Sequence, residues 1–347
     1  MKEVSTIGID LAKSVFQVHG ADVAGRTVLQ RRLRRCDVLT FFTKHPACLV
    51  GMEACGTAHH WARQLSALGH RVKLIAPKAV KGYIGRGKSD AIDAEAICEA
   101  VTRPRVREIA VKSIEQQSTL MLHRARDLLI RQRTQTINSL RSHMTELGVI
   151  AAVGDAGAAA LVAIVENEAD PRLPPAARVA LKSLTATLAS LRAQIESLDA
   201  AVLAAHTADA TSQRLASIPG IGPLTASAIV ATVGDARVFK SGRSFAAWLG
   251  LTPRISGTGG KTTLGPITKQ GDRYLRRLLM QGATSALTRI RRQPARNPWA
   301  ARLLDRMAFK PAAMALANKA ARIVWALMVR GGTYSPGHQP APFVATA

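Results

Sequence analysis

Two apolar strand-like segments of this chain end in a carboxylate, and few folds have a use for that. They are Thr6-Ile7-Gly8-Ile9-Asp10 and Cys48-Leu49-Val50-Gly51-Met52-Glu53. A carboxylate at the end of a buried strand is costly unless it binds something. The segments around them alternate in the same way. Val15 to His19 and Val28 to Leu33 read as two further strands of a meander, and Val72 to Ile75 as another strand before Pro77. Ala58 to Leu68 reads as a helix closed by Gly69, and a helix is predicted from Asp90 to about Thr102, ahead of Pro104. This is an α/β order. Asp90 and Asp93 stand three apart at the start of that last helix, hence on one face.

Four carboxylates at strand ends and on one helix face suit Mg²⁺, which prefers oxygen ligands and shares itself with phosphate. Singly, each has a plainer role. Asp90 serves as a helix N-cap, Asp93 as a first-turn partner of the helix dipole, and Asp10 as a metal holder in an actin-like kinase. No second Gly-rich phosphate or adenosine motif follows residue 100, which disfavours the kinase. In this element order the four acids point to a ribonuclease-H-like nuclease core.

The 347 residues suffice for two or three domains. Lys and Arg number 48 against 23 Asp and Glu, a formal charge of +25, so the natural partner is a polyanion, with nucleic acid first. The charge is unevenly placed. Residues 151–210 carry 4 basic and 7 acidic side chains, whereas residues 211–347 carry 20 and 3, mostly arginines, whose forks match phosphate oxygens in pairs. Steeply salt-sensitive binding is expected. Cys36, Cys48, Cys55 and Cys98 form no CxxC pair, which argues against zinc and against a disulfide framework. No apolar run reaches the roughly 18 residues of a membrane span, and no signal peptide opens the chain, so a cytoplasmic, nucleoid-associated protein without a membrane partner is expected.

The middle of the chain reads as helical. Leu181, Leu184, Leu188, Leu191, Ile195, Leu198 and Val202 keep a 3-4 alternation, the seam of a coiled coil within one chain or between two. The Gly/Ala-rich piece from Ala151 to Leu161 and the Pro171–Pro175 segment read as the link between two long helices. From Leu215 short helices with glycine turns are expected, and from Gly331 a disordered tail. The boundaries so read are 1–105, 106–210, 211–330 and 331–347.

Ile218-Pro219-Gly220-Ile221-Gly222-Pro223-Leu224-Thr225-Ala226 has the helix-hairpin-helix pattern. There Gly220 and Gly222 let backbone N–H groups approach a DNA phosphate without reading sequence. Gly250 to Lys261, followed by Gly265 to Arg276, embeds hydroxyls among glycines near Lys261, Lys269, Arg273 and Arg276. Such a loop suits a nucleophile attacking a phosphate whose charge the cations absorb, although it lacks the GxxxxGK[ST] order of a phosphate-binding loop. His59 and His60 read as helix-surface or core residues, and Trp61, Trp248, Trp299 and Trp325 as packing residues. Arg289, Arg291, Arg292 and Arg296 form a cluster suited to RNA or DNA.

Met52-Glu53-Ala54-Cys55-Gly56, Lys88-Ser89-Asp90-Ala91-Ile92-Asp93-Ala94, Ser217 to Gly222 and Lys269 to Arg276 resemble the DEDD transposases of bacterial insertion sequences, the one-ten family and its eleven-eleven branch. The resemblance runs from Ile7 to about Arg292. It implies a RuvC-like N-terminal domain with its acidic tetrad at Asp10, Glu53, Asp90 and Asp93, a helical coiled-coil region and a C-terminal transposase domain. It also implies a serine that links covalently to DNA, completed by the tetrad of another subunit in a dimer or tetramer. A non-coding RNA from the element would pair with donor and target double-stranded DNA, leaving sequence choice to base pairing. Many relatives show two adjacent hydroxyl residues before the paired glycines. Here the order is Ser256-Gly257-Thr258-Gly259-Gly260, with glycine where the serine is expected, so Ser256 is the candidate nucleophile and Thr258 the alternative. A Holliday-junction resolvase using metal-activated water would need neither the hydroxyl loop nor the basic C-terminal region, and a non-catalytic DNA-binding protein leaves the four acids unexplained.

Overall fold

The computed structural model describes residues 3–85, 89–259 and 261–335. Lys88 of the acidic motif, Gly260 of the paired glycines and residues 336–347 of the expected tail lie outside them. The chain divides into two compact units. One runs to Ile114 and includes Val233–Val238; the other holds Glu115–Thr232 and the chain from Phe239 onward.

The first unit is built on strands β1 (Thr6–Asp10), β2 (Val15–Ala21), β3 (Thr27–Arg34), β4 (Leu49–Glu53), β5 (Arg71–Ile75) and the short β6 (Glu108–Ile109). Its helices are α1 (Val38–Thr43), α2 (Ala58–Ala67), α3 (Pro77–Val80) and α4 (Asp90–Thr102). The sheet order is β3-β2-β1-β4-β5-β6. Strands β1, β4 and β5 run parallel, while β2 pairs antiparallel with both β1 and β3. This mixed sheet agrees with the α/β order expected of a ribonuclease-H-like core. In the β1–β4 register Ile7 lies opposite Val50 and Ile9 opposite Met52, so both strands end at one edge of the sheet, where Asp10 and Glu53 sit.

Burial follows the sequence periodicity. Ile7, Ile9, Val50, Met52 and Leu74 are buried in the sheet, and α2 lays Ala58, Trp61, Ala62 and Leu65 against it at helical spacing. Helix α4 approaches much more closely. A Cβ placed on Gly8 would fall 2.3 Å from the Ala94 carbonyl oxygen and 2.4 Å from the Cys98 nitrogen; on Gly51 it would fall 2.8 Å from Val101 Cβ. The two glycines of the apolar strands therefore make room for α4. Its other buried side, Ala96, Ile97 and Ala100, packs with Ile75 and Val80.

The second unit contains α5 (Ile114–Glu146), α6 (Asp155–Glu166), α7 (Pro175–Ala208), α8 (Ala210–Ala216), α9 (Pro223–Val233), α10 (Gly242–Trp248), the ribbon β7 (Pro253–Thr258) and β8 (Lys261–Ile267), α11 (Arg273–Arg292), α12 (Pro298–Arg306) and α13 (Phe309–Arg330). The leucine stripe is the inner face of α7, with Leu181, Leu188, Leu191, Ile195 and Val202 buried and Leu184 and Leu198 half-buried. Arg126 on α5 pairs with Asp199 on α7. His123 of α5 is fully buried, with Nδ1 3.0 Å from the Tyr274 hydroxyl on α11 and Nε2 2.7 Å from Ser227 Oγ on α9. Burial, and secondarily the Arg126 charge, hold this imidazole down at about 4, so it is neutral at pH 7.

Three expectations need correction. The Ala-rich link between the long helices contains α6, because alanine favours helix; Arg178 holds its C-terminal end by donating to the Val165 and Asn167 carbonyls. The glycine- and hydroxyl-rich loop is an antiparallel ribbon, its alternation hidden by glycines. The C-terminal helices are not all short, since α11 spans 20 residues and α13 spans 22. By length and composition α13 passes for a membrane span. It nevertheless carries Lys319 and Arg322, and buries Ala313, Leu316, Ala317, Ala321 and Val324 within its own unit.

The close approach at Gly8 makes a direct prediction. Gly8→Ala overpacks the α4–sheet interface against rigid backbone, costing about 1–3 kcal/mol. The urea midpoint is expected to fall at unchanged slope; an unaltered midpoint would show that α4 does not lie on β1 as described.

Candidate metal centre and hydroxyl ribbon

The β-sheet edge and α4 together set the acidic site. Ser89 caps α4, its hydroxyl accepting from the Ile92 N–H at 3.3 Å, so Asp90 is the first helical residue and its carboxylate is not the cap. With α4 held on Gly8, the first turn of the helix stands over the end of β1. One carboxylate oxygen from each of Asp10, Asp90 and Asp93 lies within 4.8 Å of the others. Asp10 is half-buried, Asp93 partly so, and Asp90 exposed.

Such crowding is electrostatically unfavourable in the bare protein. The Asp10 carboxyl is pushed from 3.8 up to about 6, first by burial and then by the charges of Asp90, Asp93 and Glu53. Burial and Asp93 also raise Glu53 at the end of β4, against the pull of Lys81. The tight triad is thus Asp10, Asp90 and Asp93, with Glu53 coupled to it through charge. An all-oxygen donor set of converging carboxylates fits a divalent cation, which would relieve the repulsion.

The hydroxyl candidates stand on the ribbon of the second unit. Ser256 pairs with Thr263, Gly257 with Thr262 and Thr258 with Lys261. Ser256 and Thr258 are two apart and share a face with their cross-strand neighbours Thr263 and Lys261. All four are exposed. Gly257, the position where a serine is expected, is tight: a Cβ there would lie 2.7 Å from the Lys261 carbonyl oxygen.

The expected DNA-contacting residues separate into two groups. Lys261, Lys269 and Arg273 are exposed. Arg276 instead donates to the Leu249 carbonyl at 3.0 Å and the Gln270 carbonyl at 2.7 Å, bracing the turn that leads into α11. Gly220 has φ 87° and lies backbone to backbone against Gly282 of α11, where a Cβ on Gly282 would come 1.7 Å from the Gly220 oxygen. Gly220 therefore has a packing reason of its own, whereas Gly222 has open space around its Cα. The His123–Tyr274–Ser227 tie is not legible in the sequence. Its only sequence signal is a histidine within a polar helix, which carries no information about depth.

Comparison with known proteins gives one consistent result. Residues 212–300 match a family described as Transposase IS116/IS110/IS902, and residues 7–149 match a second family described as Transposase. A probable family 20 transposase of Pseudomonas aeruginosa is 48% identical over 96% of this chain and 99% of its own length. The transposase for insertion sequence element IS1328 of Yersinia enterocolitica is 40% identical over 96% of this chain and all of its own. The transposase for insertion sequence element IS1111A of Coxiella burnetii is 37% identical over 97% and 93%.

The raised Asp10 carboxyl gives a signed prediction. Its contribution to stability is present below pH 3.8 and lost as pH rises through about 6. At neutral pH without metal, Asp10→Asn is therefore expected to melt higher than wild type, by about 2–4 °C per kcal/mol of repulsion relieved. Added Mg²⁺ should raise the wild-type melting temperature selectively, and lose that effect as pH falls below 6. A metal-free Asp10→Asn protein that melts no higher than wild type would refute the crowding argument.

Proposed function

The chain belongs to the IS116/IS110/IS902 family of transposases, enzymes that cut and transfer DNA strands, and from that premise we propose that it excises and inserts an insertion-sequence element through a covalent serine–DNA intermediate. The observation that carries the reading is the convergence of Asp10, Asp90 and Asp93 from a strand end and a helix start, with Glu53 beside them. Asp10, Asp90 and Asp93, with Glu53 beside them, would hold Mg²⁺, which would supply neutralisation of charge on the phosphodiester undergoing displacement. The crowded carboxylates make the site receptive to a cation.

Ser256 supplies the nucleophile, with Thr258 as the alternative on the same face of the ribbon. Its Oγ bonds to phosphorus as the bridging P–O bond to the departing strand end breaks, and that oxygen takes up a proton as the serine hydroxyl gives one up. The serine phosphodiester retains the energy of the broken link, so a free strand end can attack it and rejoin without any nucleotide cofactor. Lys261, beside Thr258 in the ribbon, stands where it can balance phosphate charge. The exposed placement of all these side chains supports a site completed by a second subunit in a dimer or tetramer.

Residues 1–105 act as the RuvC-like nuclease domain, 106–210 as the helical coiled-coil arm and 211–330 as the transposase domain. In the last, the α8–α9 turn serves as a helix-hairpin-helix, and Gly222, Lys269 and Arg273 meet the DNA backbone. A non-coding RNA from the element guides target choice by base pairing, and the protein works on the nucleoid in the cytoplasm.

The test is a denaturing gel of labelled element-end DNA incubated with Mg²⁺, with and without the flanking transcript. A protein–DNA adduct is expected with wild type and is lost in Ser256→Ala and Asp10→Ala. Loss in Thr258→Ala instead moves the nucleophile two residues. Cleavage without an adduct overturns the serine route in favour of metal-activated water.

A further inference from the structure

A second cationic feature belongs to the first unit and is not used by the four acids. An open cleft of about 700 Å³ is lined by Lys13, Ser14, Arg34, Arg35, His60 and Trp61, with no carboxylate among its lining side chains. Its place in the fold follows from the topology. Lys13 and Ser14 form the turn leaving β1 just after Asp10, Arg34 ends β3 opposite Val15, and His60 and Trp61 lie in the first turn of α2, the helix that follows Glu53. The Arg35 N–H donates to the Ser14 carbonyl at 2.9 Å, fixing two walls together. The cleft therefore lies at the same end of the sheet as the acidic cluster but on its α2 side, whereas Asp10 shares the α4 side with Gly8, so a bound strand would pass around the end of the sheet.

The cations are held ready without being neutralised. The Arg35 guanidinium lies over the rings of Trp61, at 5.2 Å, and Phe16, at 5.7 Å. Those rings brace each other edge to face at 5.1 Å. Among the described residues, none of Lys13, Arg34 and Arg35 pairs with a carboxylate. Trp61 is only 5% exposed, yet its indole N–H has no acceptor. A guanidinium oriented by aromatic rings keeps its planar fork free for phosphate oxygens.

We propose that this cleft grips a backbone phosphate of the same nucleic-acid strand whose nearby phosphodiester lies at the Asp10–Asp90–Asp93 cluster. The inference rests on the proposed function for the identity of that strand. Lys13 follows Asp10 by three positions, so their Cα atoms lie at most about 11 Å apart. With the two side chains added, and at a rise of about 3.4 Å per nucleotide, the phosphate gripped lies within about six nucleotides of the scissile one. The cleft thus sets the register of the strand around the end of the sheet, a contact to backbone that carries no sequence information.

The test uses the full chain in EDTA, so that binding is read apart from cleavage. Anisotropy of labelled element-end DNA duplex, and of the element transcript in a second arm, is followed against KCl for wild type, Lys13→Gln/Arg34→Gln, Arg35→Lys and the control Lys44→Gln. Lys13 and Arg34 are exposed, so their replacement spares the core. In the double variant the slope of log affinity against log salt is expected to shrink by about one for each phosphate that is no longer neutralised. Arg35→Lys, which keeps the charge but removes the planar fork, is expected to weaken binding with little change in slope. Lys44→Gln should match wild type. The arm that responds identifies the strand as DNA or RNA, and slopes equal to wild type in both arms overturn the proposal. The two readings fail separately: a smaller slope without any Asp10-dependent cleavage keeps the cleft and removes the recombinase, whereas Asp10-dependent cleavage with unchanged slopes does the reverse.

Discussion

The acidic site exists because a helix lies directly on two glycines. Gly8 and Gly51 leave no side chain where α4 crosses the sheet, and a single methyl at Gly8 would meet backbone at 2.3 Å. That approach fixes the height and tilt of α4, and with them the position of Asp90 and Asp93 above Asp10. Burial first, and then their mutual charge, pushes the Asp10 and Glu53 carboxyls upward, so assembling them is unfavourable in the bare protein. Nothing in their own chemistry would assemble them. Apolar packing of Ala94, Ile97, Cys98 and Val101 overcomes that cost, so the site is held together by the face of the helix that carries no charge.

Positive charge in the sequence is not all charge offered to a ligand. Several arginines that swell the basic total are engaged within the fold. Arg178 and Arg276 satisfy backbone carbonyls, Arg126 and Arg277 pair with Asp199 and Asp127, and Arg141 donates to the Ala151 and Gly154 carbonyls. Exposed cations with no carboxylate partner among the described residues include Lys261 on the ribbon, Arg273 at the start of α11, and Arg289, Arg291, Arg292 and Arg296 at and beyond its end. A guanidinium that caps a helix and one that grips a phosphate look alike in a count, and only the surrounding acceptors distinguish them.

The strand ends were the legible part of the chain, because an apolar run closed by Asp10 or Glu53 signals both its period and its exception. Asp90 and Asp93 were legible for a similar reason, as acids three apart in the first turn of a helix. The function of Gly8 and Gly51 was not, since a glycine within a strand gives no hint of which element comes down on it. The β7–β8 ribbon was hidden because Gly257, Gly259 and Gly265 dilute the alternation that marks a strand. His123 was hidden because depth within a helical unit depends on α9 and α11, more than 100 residues away in sequence. The leucine stripe on α7 marked its inner face correctly, yet a stripe names no partner: Leu184 and Leu198 share the period and are only half-buried.

The ribbon has one more consequence. Every residue of β7 and all of β8 except Ile267 is exposed, so the ribbon has no core of its own, and an isolated pair of strands is marginal in water. Selection for a stable fold therefore has little purchase on its side chains. It acts at Gly257, where the facing carbonyl leaves no room, and at Gly259, whose φ of 57° suits glycine. Around those two fixed points the hydroxyls of Ser256 and Thr258 stand on solvent, where exchanging one for the other leaves the packing of the rest of the protein unchanged.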